Sequence, residues 1–320
     1  MINWIFFLLI TVTFGKTILL TNDDGWTSTD IRTLYRDLKK AGHDVIMVAP
    51  VSQRSGFAGQ FVVPTSNKLE TDGEFSYVKS GAPAWDYDKQ ANDTNIWYFN
   101  GTPSSVVAFA FEYLLPTKFP DTTVDLVVGG VNQGPNLSPG FYTASGTNAA
   151  CYSSIYRGYP AISFSGYAYQ YNNSFFKDSM DTDDMNPANI YSKLAIDLIE
   201  KVLESGLPEL TGLNVNFPAA GHLNENCTEP EWVKTRVLNK NIFSQNLQYD
   251  TETNTFDVKY STFQNIETDC KDGDSVCGLD GEFDVYNKQN CQTTISVFTV
   301  DNTIDSTTND KVYSSIEDLF

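Results

Sequence analysis

Two short apolar runs, Thr17–Thr21 (TILLT) and Asp44–Ala49 (DVIMVA), flank an amphipathic stretch, and this triplet constrains the fold more than any other feature. Apolar runs of that length bounded by turn residues read as buried strands. Between them Asp30 is placed to N-cap a helix with Ile31, Leu34, Tyr35 and Leu38 on one face, ended by Gly42. A strand, a helix and a second strand within about thirty residues imply a right-handed crossover and a parallel sheet.

The alternation continues. Pro103 suits the first position of a helix expected through Leu115, Val124–Gly129 reads as a strand, Thr147–Tyr156 as a helix and Ala161–Phe164 as a strand. Asn186-Pro187 opens a helix whose apolar pairs hold the helical period until Gly206, and Leu213–Phe217 is the last buried strand. The expected fold is α/β, a Rossmann-like parallel sheet core with helices on both faces. Beyond residue 230 the character changes. Residues 246–320 carry 15 Asp/Glu against 4 Lys and are rich in turns, with no strong helical period. This β-hairpin-rich extension, 231–320, is expected to complete the same domain as the core at 16–230.

The first fifteen residues, MINWIFFLLITVTFG, are expected to be a signal peptide; the alternative is a buried N-terminal strand. The apolar stretch is too short to span a bilayer, and no other segment is long enough. Lys+Arg is 21 against Asp+Glu 40, a net charge of −19, which argues against a polyanion-binding surface. Two histidines, His43 and His222, leave little room for a His-rich metal site; His43 is expected to be structural, and neither is expected to carry the chemistry. The five cysteines show no C-x-x-C spacing, which argues against a metal cluster. In a secreted chain Cys227, Cys270, Cys277 and Cys291 are expected to form two disulfides; three pairings are open, of which Cys270–Cys277 with Cys227–Cys291 is favoured because the six-residue gap closes a small loop, and Cys151 is expected to be a buried thiol. Sequons occur at Asn92, Asn100, Asn136, Asn172 and Asn226. Asn92 and Asn172 are expected to carry glycans, Asn100 and Asn136 not.

Ligands of an open α/β sheet bind outside the carboxyl ends of its strands. There the sequence sets Asn22-Asp23-Asp24-Gly25, then Arg54-Ser55-Gly56, then Asn132-Gln133-Gly134-Pro135-Asn136 and Ser145-Gly146-Thr147. Adjacent carboxylates repel unless a cation lies between them. Two carboxylates, a hydroxyl and an amide oxygen suit a hard divalent ion such as Mg²⁺ or Mn²⁺. Ser-Gly-Thr before a helix suits an anion. A cation beside an anion pocket equips a site for phosphoryl transfer to water. Singly, each motif reads equally as a turn or a helix cap; their joint placement gives the functional reading its weight. Arg54 either holds a phosphate or pairs with a neighbouring acid.

ILLTNDDGW (18–26), DVIMVAP (44–50), RSG (54–56), GTPSSVV (101–107), DLVVGGVNQGPNL (125–137) and YTASGTNAA (142–150) resemble the SurE survival-protein family in order and spacing. LNVNFP (213–218) continues the likeness. The resemblance implies a metal-dependent phosphatase acting on nucleoside monophosphates and other phosphomonoesters. With the leader and the cysteine-containing C-terminal part, it implies the secreted yeast-type acid phosphatase branch, located in the extracellular or cell-wall space. A nucleotide-specific 5′-nucleotidase and a secreted glycoprotein with a vestigial site are the alternatives. Carried onto this chain, the metal ligands are Asp23, Asp24, Ser55 and Asn132, with Asp23, Asp24 and Asn132 catalytic. The phosphate contacts are Asn136, Ser145, Gly146 and Thr147, and the cofactor is Mg²⁺ or Mn²⁺. The expected partner is a small phosphomonoester, with no nucleic-acid polymer and no membrane once the leader is removed. A homodimer is compatible with the resemblance. The stretch 83–98 is longer than the compact bacterial pattern, and 231–300 aligns loosely. Trp26, after the acidic pair, either stacks a nucleobase or packs on the sheet.

Overall fold

The first apolar run lies at the centre of the molecule. The computed structural model describes residues 15–167, 174–238, 241–263, 276–301 and 314. In chain order, β1 (Thr17–Thr21) leads through α1 (Thr29–Lys40) to β2 (Asp44–Pro50), followed by β3 (Trp85–Asp88) and β4 (Asp93–Phe99). Then come α2 (Pro103–Phe109), a π-helical turn, α3 (Leu115–Lys118), β5 (Leu126–Gln133), α4 (Ser138–Ala144), α5 (Gly146–Ile155) and β6 (Ala161–Gly166). A short α6 (Phe176–Ser179) precedes α7 (Pro187–Ser205) and β7 (Thr211–Asn216). The remainder supplies β8 (Glu231–Thr235), β9 (Ile242–Asp250), β10 (Thr255–Phe263), α8 (Glu282–Tyr286) and β11 (Gln292–Thr299).

One nine-stranded sheet runs in the order β3-β4-β2-β1-β5-β6-β7-β11-β8, and β9 and β10 form a separate hairpin. From β4 to β7 neighbouring strands are parallel; β3 and β11 run antiparallel to β4 and β7. Side chains alternate across the sheet because the strand period is two. Ile18 and Leu20 therefore face α1 and α7, within a core that includes Leu34 and Ile199. Leu19 faces the other way, with Val106 of α2 and Ile155 of α5. Cys151 belongs to this second core; it is a free thiol, and burial pushes it up to about 12. No helix among the described residues is long and apolar enough to cross a membrane.

The sheet is mixed at its ends, which apolar runs alone did not predict. Strands β3 and β4 lie in the long stretch 83–98, where polar openings (WDYD, DTN) hide the apolar run Ile96–Phe99. The helix expected to end at Leu115 continues through the π turn Ala110–Leu114 to Lys118. The extension contains the short helix α8, and its β11 enters the main sheet between β7 and β8. Cys227 and Cys291 are disulfide-bonded, pinning the segment before β8 to the start of β11. Cys277 is also disulfide-bonded. Its expected partner Cys270, the sequon at Asn172 and the first fourteen residues of the expected leader at 1–15 lie outside the described residues.

Candidate active site

Strand order reverses at β1, whose neighbours β2 and β5 lie on opposite sides, and such a switch point opens a crevice at the strand ends. The chain leaves β1 through a turn closed by Asn22. Its side-chain Nδ2 donates to Gly25 O at 3.1 Å and its Oδ1 accepts from Gly25 N at 3.2 Å. Gly25 takes φ +104°, a left-handed conformation that glycine adopts without steric cost. The turn holds Asp23 and Asp24 at the foot of the crevice, almost wholly buried at 1% and 2% exposure.

The start of α5 closes on Asp23. Thr147 N donates to Asp23 Oδ2 at 3.1 Å and Thr147 Oγ1 donates to Asp23 Oδ1 at 2.6 Å. A Cβ on Gly146 would meet Asp23 Oδ2 and Pro103 Cγ at 2.9 Å, so the helix approaches this closely only with glycine there. Ser145 caps α5, its hydroxyl accepting from Asn148 N at 3.0 Å. Asn132 arrives on β5 just after a register shift against β6. Gly130 within that irregularity has φ +112°, and its missing Cβ would lie 2.2 Å from Phe164 O. Asn132 Oδ1 is 3.4 Å from Thr147 Oγ1, and its Nδ2 donates to Gly134 O at 2.7 Å. Asp24 Oδ2 accepts from Gln133 N at 2.8 Å, and Ser55 Oγ stands 3.5 Å from Asp24 Oδ1.

Burial pushes the Asp23 carboxyl up, against the downward pull of the Thr147 and Gly146 donors. Asp24 is held well above the usual carboxylate range, first by burial and then by the charge of Asp23. Burial lifts Asp30, which accepts from Gln133 Nε2 at 2.9 Å, to about 6.

The loop after β5 is fixed from beneath by β7 and α8. Asn136 N donates to Asn216 Oδ1 at 2.7 Å, and Asn136 Nδ2 donates to Ser165 Oγ at 2.8 Å. Asn214 Nδ2 donates to Asn136 O at 3.0 Å and to Glu282 Oε2 at 2.9 Å. Glu282 is fully buried and accepts further bonds from Ser138 N at 3.1 Å and Ser296 Oγ at 3.0 Å. The sequence carried one sign of this network: two asparagines, Asn214 and Asn216, at period two in an otherwise apolar strand. Glu282 had none, lying among acids that read as a solvated surface.

Asp23, Ser55, Asn132, Asn136 and Ser145 line one cleft of about 420 Å³, and the hairpin adds Gln245 and Tyr260 to its wall. Asp24, Gly146 and Thr147 are behind that lining and reach it through their bonds to Ser55 and Asp23. Other polar candidates lie elsewhere. Arg54 donates to Gln53 O and Asn100 Oδ1, each at 3.3 Å. His43 pairs with Glu200 at 2.9 Å and His222 with Asp183 at 2.6 Å. Trp26 packs: it is 1% exposed, with Tyr98 and Tyr77 rings 4.9 and 5.3 Å away.

The family model described as "Survival protein SurE" matches residues 18–243, which contain the whole oxygen-rich cluster. The chain belongs to the SurE family. Among SurE-family relatives, an acid phosphatase of Yarrowia lipolytica is 39% identical over 89% of this chain and 79% of its own length. A 5′-nucleotidase SurE of Thermoanaerobacter sp. is 31% identical over 72% of this chain and 75% of its own length. The crystal structure of the SurE protein from Aquifex aeolicus superposes with a TM-score of 0.62 over 95% of this chain and 99% of that one. At 23% identity, that superposition establishes the shared fold.

Proposed function

We propose that this SurE-family protein is a metal-dependent acid phosphatase that hydrolyses small phosphomonoesters. The observation that carries the reading is the pair of buried adjacent carboxylates, Asp23 and Asp24, gathered with Asn132 and Ser55 beside an open cleft. The Yarrowia lipolytica relative's name supports the phosphatase class. The names of the 5′-nucleotidase relatives support a second reading, specificity for nucleoside monophosphates.

The residues fit a hard divalent cation. Their donors are all oxygen, and both carboxyls lie where burial and mutual repulsion penalise negative charge, a penalty that a cation relieves. Asp23, Asp24, Ser55 and Asn132 would hold Mg²⁺ or Mn²⁺. The chemistry such an ion supplies when bound is Lewis acidity toward a phosphoryl oxygen and acidification of water.

The protein's own groups orient the ester. Ser145 Oγ accepts from the helix it caps and keeps its hydroxyl proton to donate to a phosphoryl oxygen. Asn136 Nδ2 has one hydrogen on Ser165 and a second for the substrate. Both donors are fixed before substrate arrives, so they stabilise developing charge without reorganising. Gly146 and Thr147 act one step back, spending their amides on Asp23 and locking its carboxylate in place.

A secreted location is part of the proposal. It is supported by the apolar leader sequence and by the Cys227–Cys291 disulfide, a bond that persists in oxidising compartments. Turnover of p-nitrophenyl phosphate, AMP, GMP and polyphosphate, each with and without EDTA across pH 4–8, tests the whole reading. Broad monoester hydrolysis in acid, abolished by EDTA and restored by Mn²⁺ or Mg²⁺, is expected. Activity confined to AMP and GMP would favour the nucleotidase, and no turnover of any ester would mark a vestigial site.

A further inference from the structure

The cleft beside Asp23 has a second wall that phosphate chemistry does not use. Phe141 of α4 lines the same cleft together with Tyr260 and Gln245 of the hairpin, the latter two directly paired across β10 and β9. Phe141 and Tyr260 are near-parallel, their centroids 5.8 Å apart at 26°. Phe243 extends the same layer, 5.0 Å from Phe141 at 16° and 6.0 Å from Tyr260 at 22°. Phe283 continues it on the far side, 4.9 Å from Phe243 at 9°. The rings at the seam dock the hairpin. Tyr260 does more than that, because it remains 47% exposed and faces the cleft.

We propose that Phe141, Tyr260 and Gln245 form a subsite for a planar aromatic leaving group, so that this site favours aryl over alkyl phosphomonoesters. The proposal rests on the phosphate-site reading above. A cleft of about 420 Å³ is far larger than a phosphate group and falls in the usual range of small-molecule pockets, roughly 300–1,000 Å³. A ring inserted beside Tyr260 would extend a stack whose planes are already aligned, a geometry that favours aromatic contacts beyond simple area burial. Gln245 supplies both an amide donor and an acceptor at the same wall, suited to the polar edge of a heteroaromatic ring.

The test uses two non-hydrolysable ligands, phenylphosphonate and methylphosphonate, titrated by calorimetry into the Mn²⁺-loaded full chain. The wild type is expected to bind phenylphosphonate at least tenfold more tightly. Tyr260→Ala is expected to cut that ratio about tenfold, and Tyr260→Phe to preserve it. Tyr249→Ala, a like substitution farther out on the hairpin where Tyr249 meets Phe256, should leave the ratio unchanged. A ratio near one in the wild type overturns the subsite, as does a ratio unmoved by both Tyr260→Ala and Phe141→Ala. Equal loss of both ligands in every wall variant also overturns it, since Tyr260 would then support the site without reading the ring. If neither phosphonate binds the wild type, the phosphate-site reading falls first.

Discussion

Thr147 Oγ1 donates its one proton to Asp23 Oδ1 at 2.6 Å while standing 3.4 Å from Asn132 Oδ1, so one hydroxyl ties the start of α5 to the acidic turn beside the amide oxygen that β5 delivers. Charge-assisted bonds of this kind contribute about 1.5–3 kcal/mol. Thr147→Val keeps the shape and removes the donor. It is expected to lower kcat/KM for p-nitrophenyl phosphate ten- to a hundredfold, and Thr147→Ser should recover most of the loss. Wild-type kinetics in Thr147→Val would show that Asp23 is held by the backbone alone.

Asp24→Asn removes one charge of a buried pair and retains an oxygen for the Gln133 amide. It is expected to weaken Mn²⁺ binding and reduce kcat/KM at least a hundredfold, a loss of roughly 3 kcal/mol of transition-state stabilisation. In metal-free buffer the variant should be at least as stable as wild type, because a repulsion is gone. Calorimetric Mn²⁺ titration alongside urea denaturation checks both halves.

Burial lifts the Glu282 carboxyl from its ordinary 4.5 to about 8. Between those values the folded protein retains a proton that the unfolded chain has released, so stability falls as pH rises through the window. The full contribution is present below pH 4.5 and is gone above about 8, with a slope near 1.4 kcal/mol per pH unit between. Glu282→Gln should flatten this part of the profile, measured by urea denaturation from pH 5 to 8.5. An unchanged slope would mean that Glu282 is ionised in the fold.

The Cys227–Cys291 bond closes a segment with a sequence separation of 64. Closing a loop of this length stabilises by about 2–5 kcal/mol in chain-entropy terms. The double variant Cys227→Ser/Cys291→Ser is expected to lower the melting temperature by several degrees and to leave Mn²⁺ affinity nearly intact. A melting temperature equal to that of wild type would show the bond to be thermodynamically idle.

How much of this could be read beforehand follows the locality of the physics. The strand Thr17–Thr21 and the boundary at Gly206 were legible because burial and helix termination leave marks on adjacent residues. The acidic turn was legible for the same reason, since Asn22 and Gly25 close it within four residues. The service of Thr147 to Asp23 was not, because the bond spans 124 positions and a Ser-Gly-Thr start suits a bound phosphate equally well. Glu282 and Tyr260 reach the site from a region whose composition suggests solvent. The insertion of β11 beside β7 turns the Glu282 segment inward, and ring contacts with Phe141 bring in the hairpin.

That insertion also sets an order of assembly. Strand β8 pairs with β11 and, among the described residues, with no other strand, yet β8 is synthesised first. Until residues 292–299 emerge, β7 presents an open edge, and Glu282, which fixes the loop at Ser138, has only just preceded them. A nascent chain halted before β11 would hold the acidic turn and most of the sheet while exposing the kind of edge on which chains aggregate. The loop beside the candidate cleft therefore gains its buried support at Ser138 only after residues 282–299 have been made, later than every residue that lines the cleft itself.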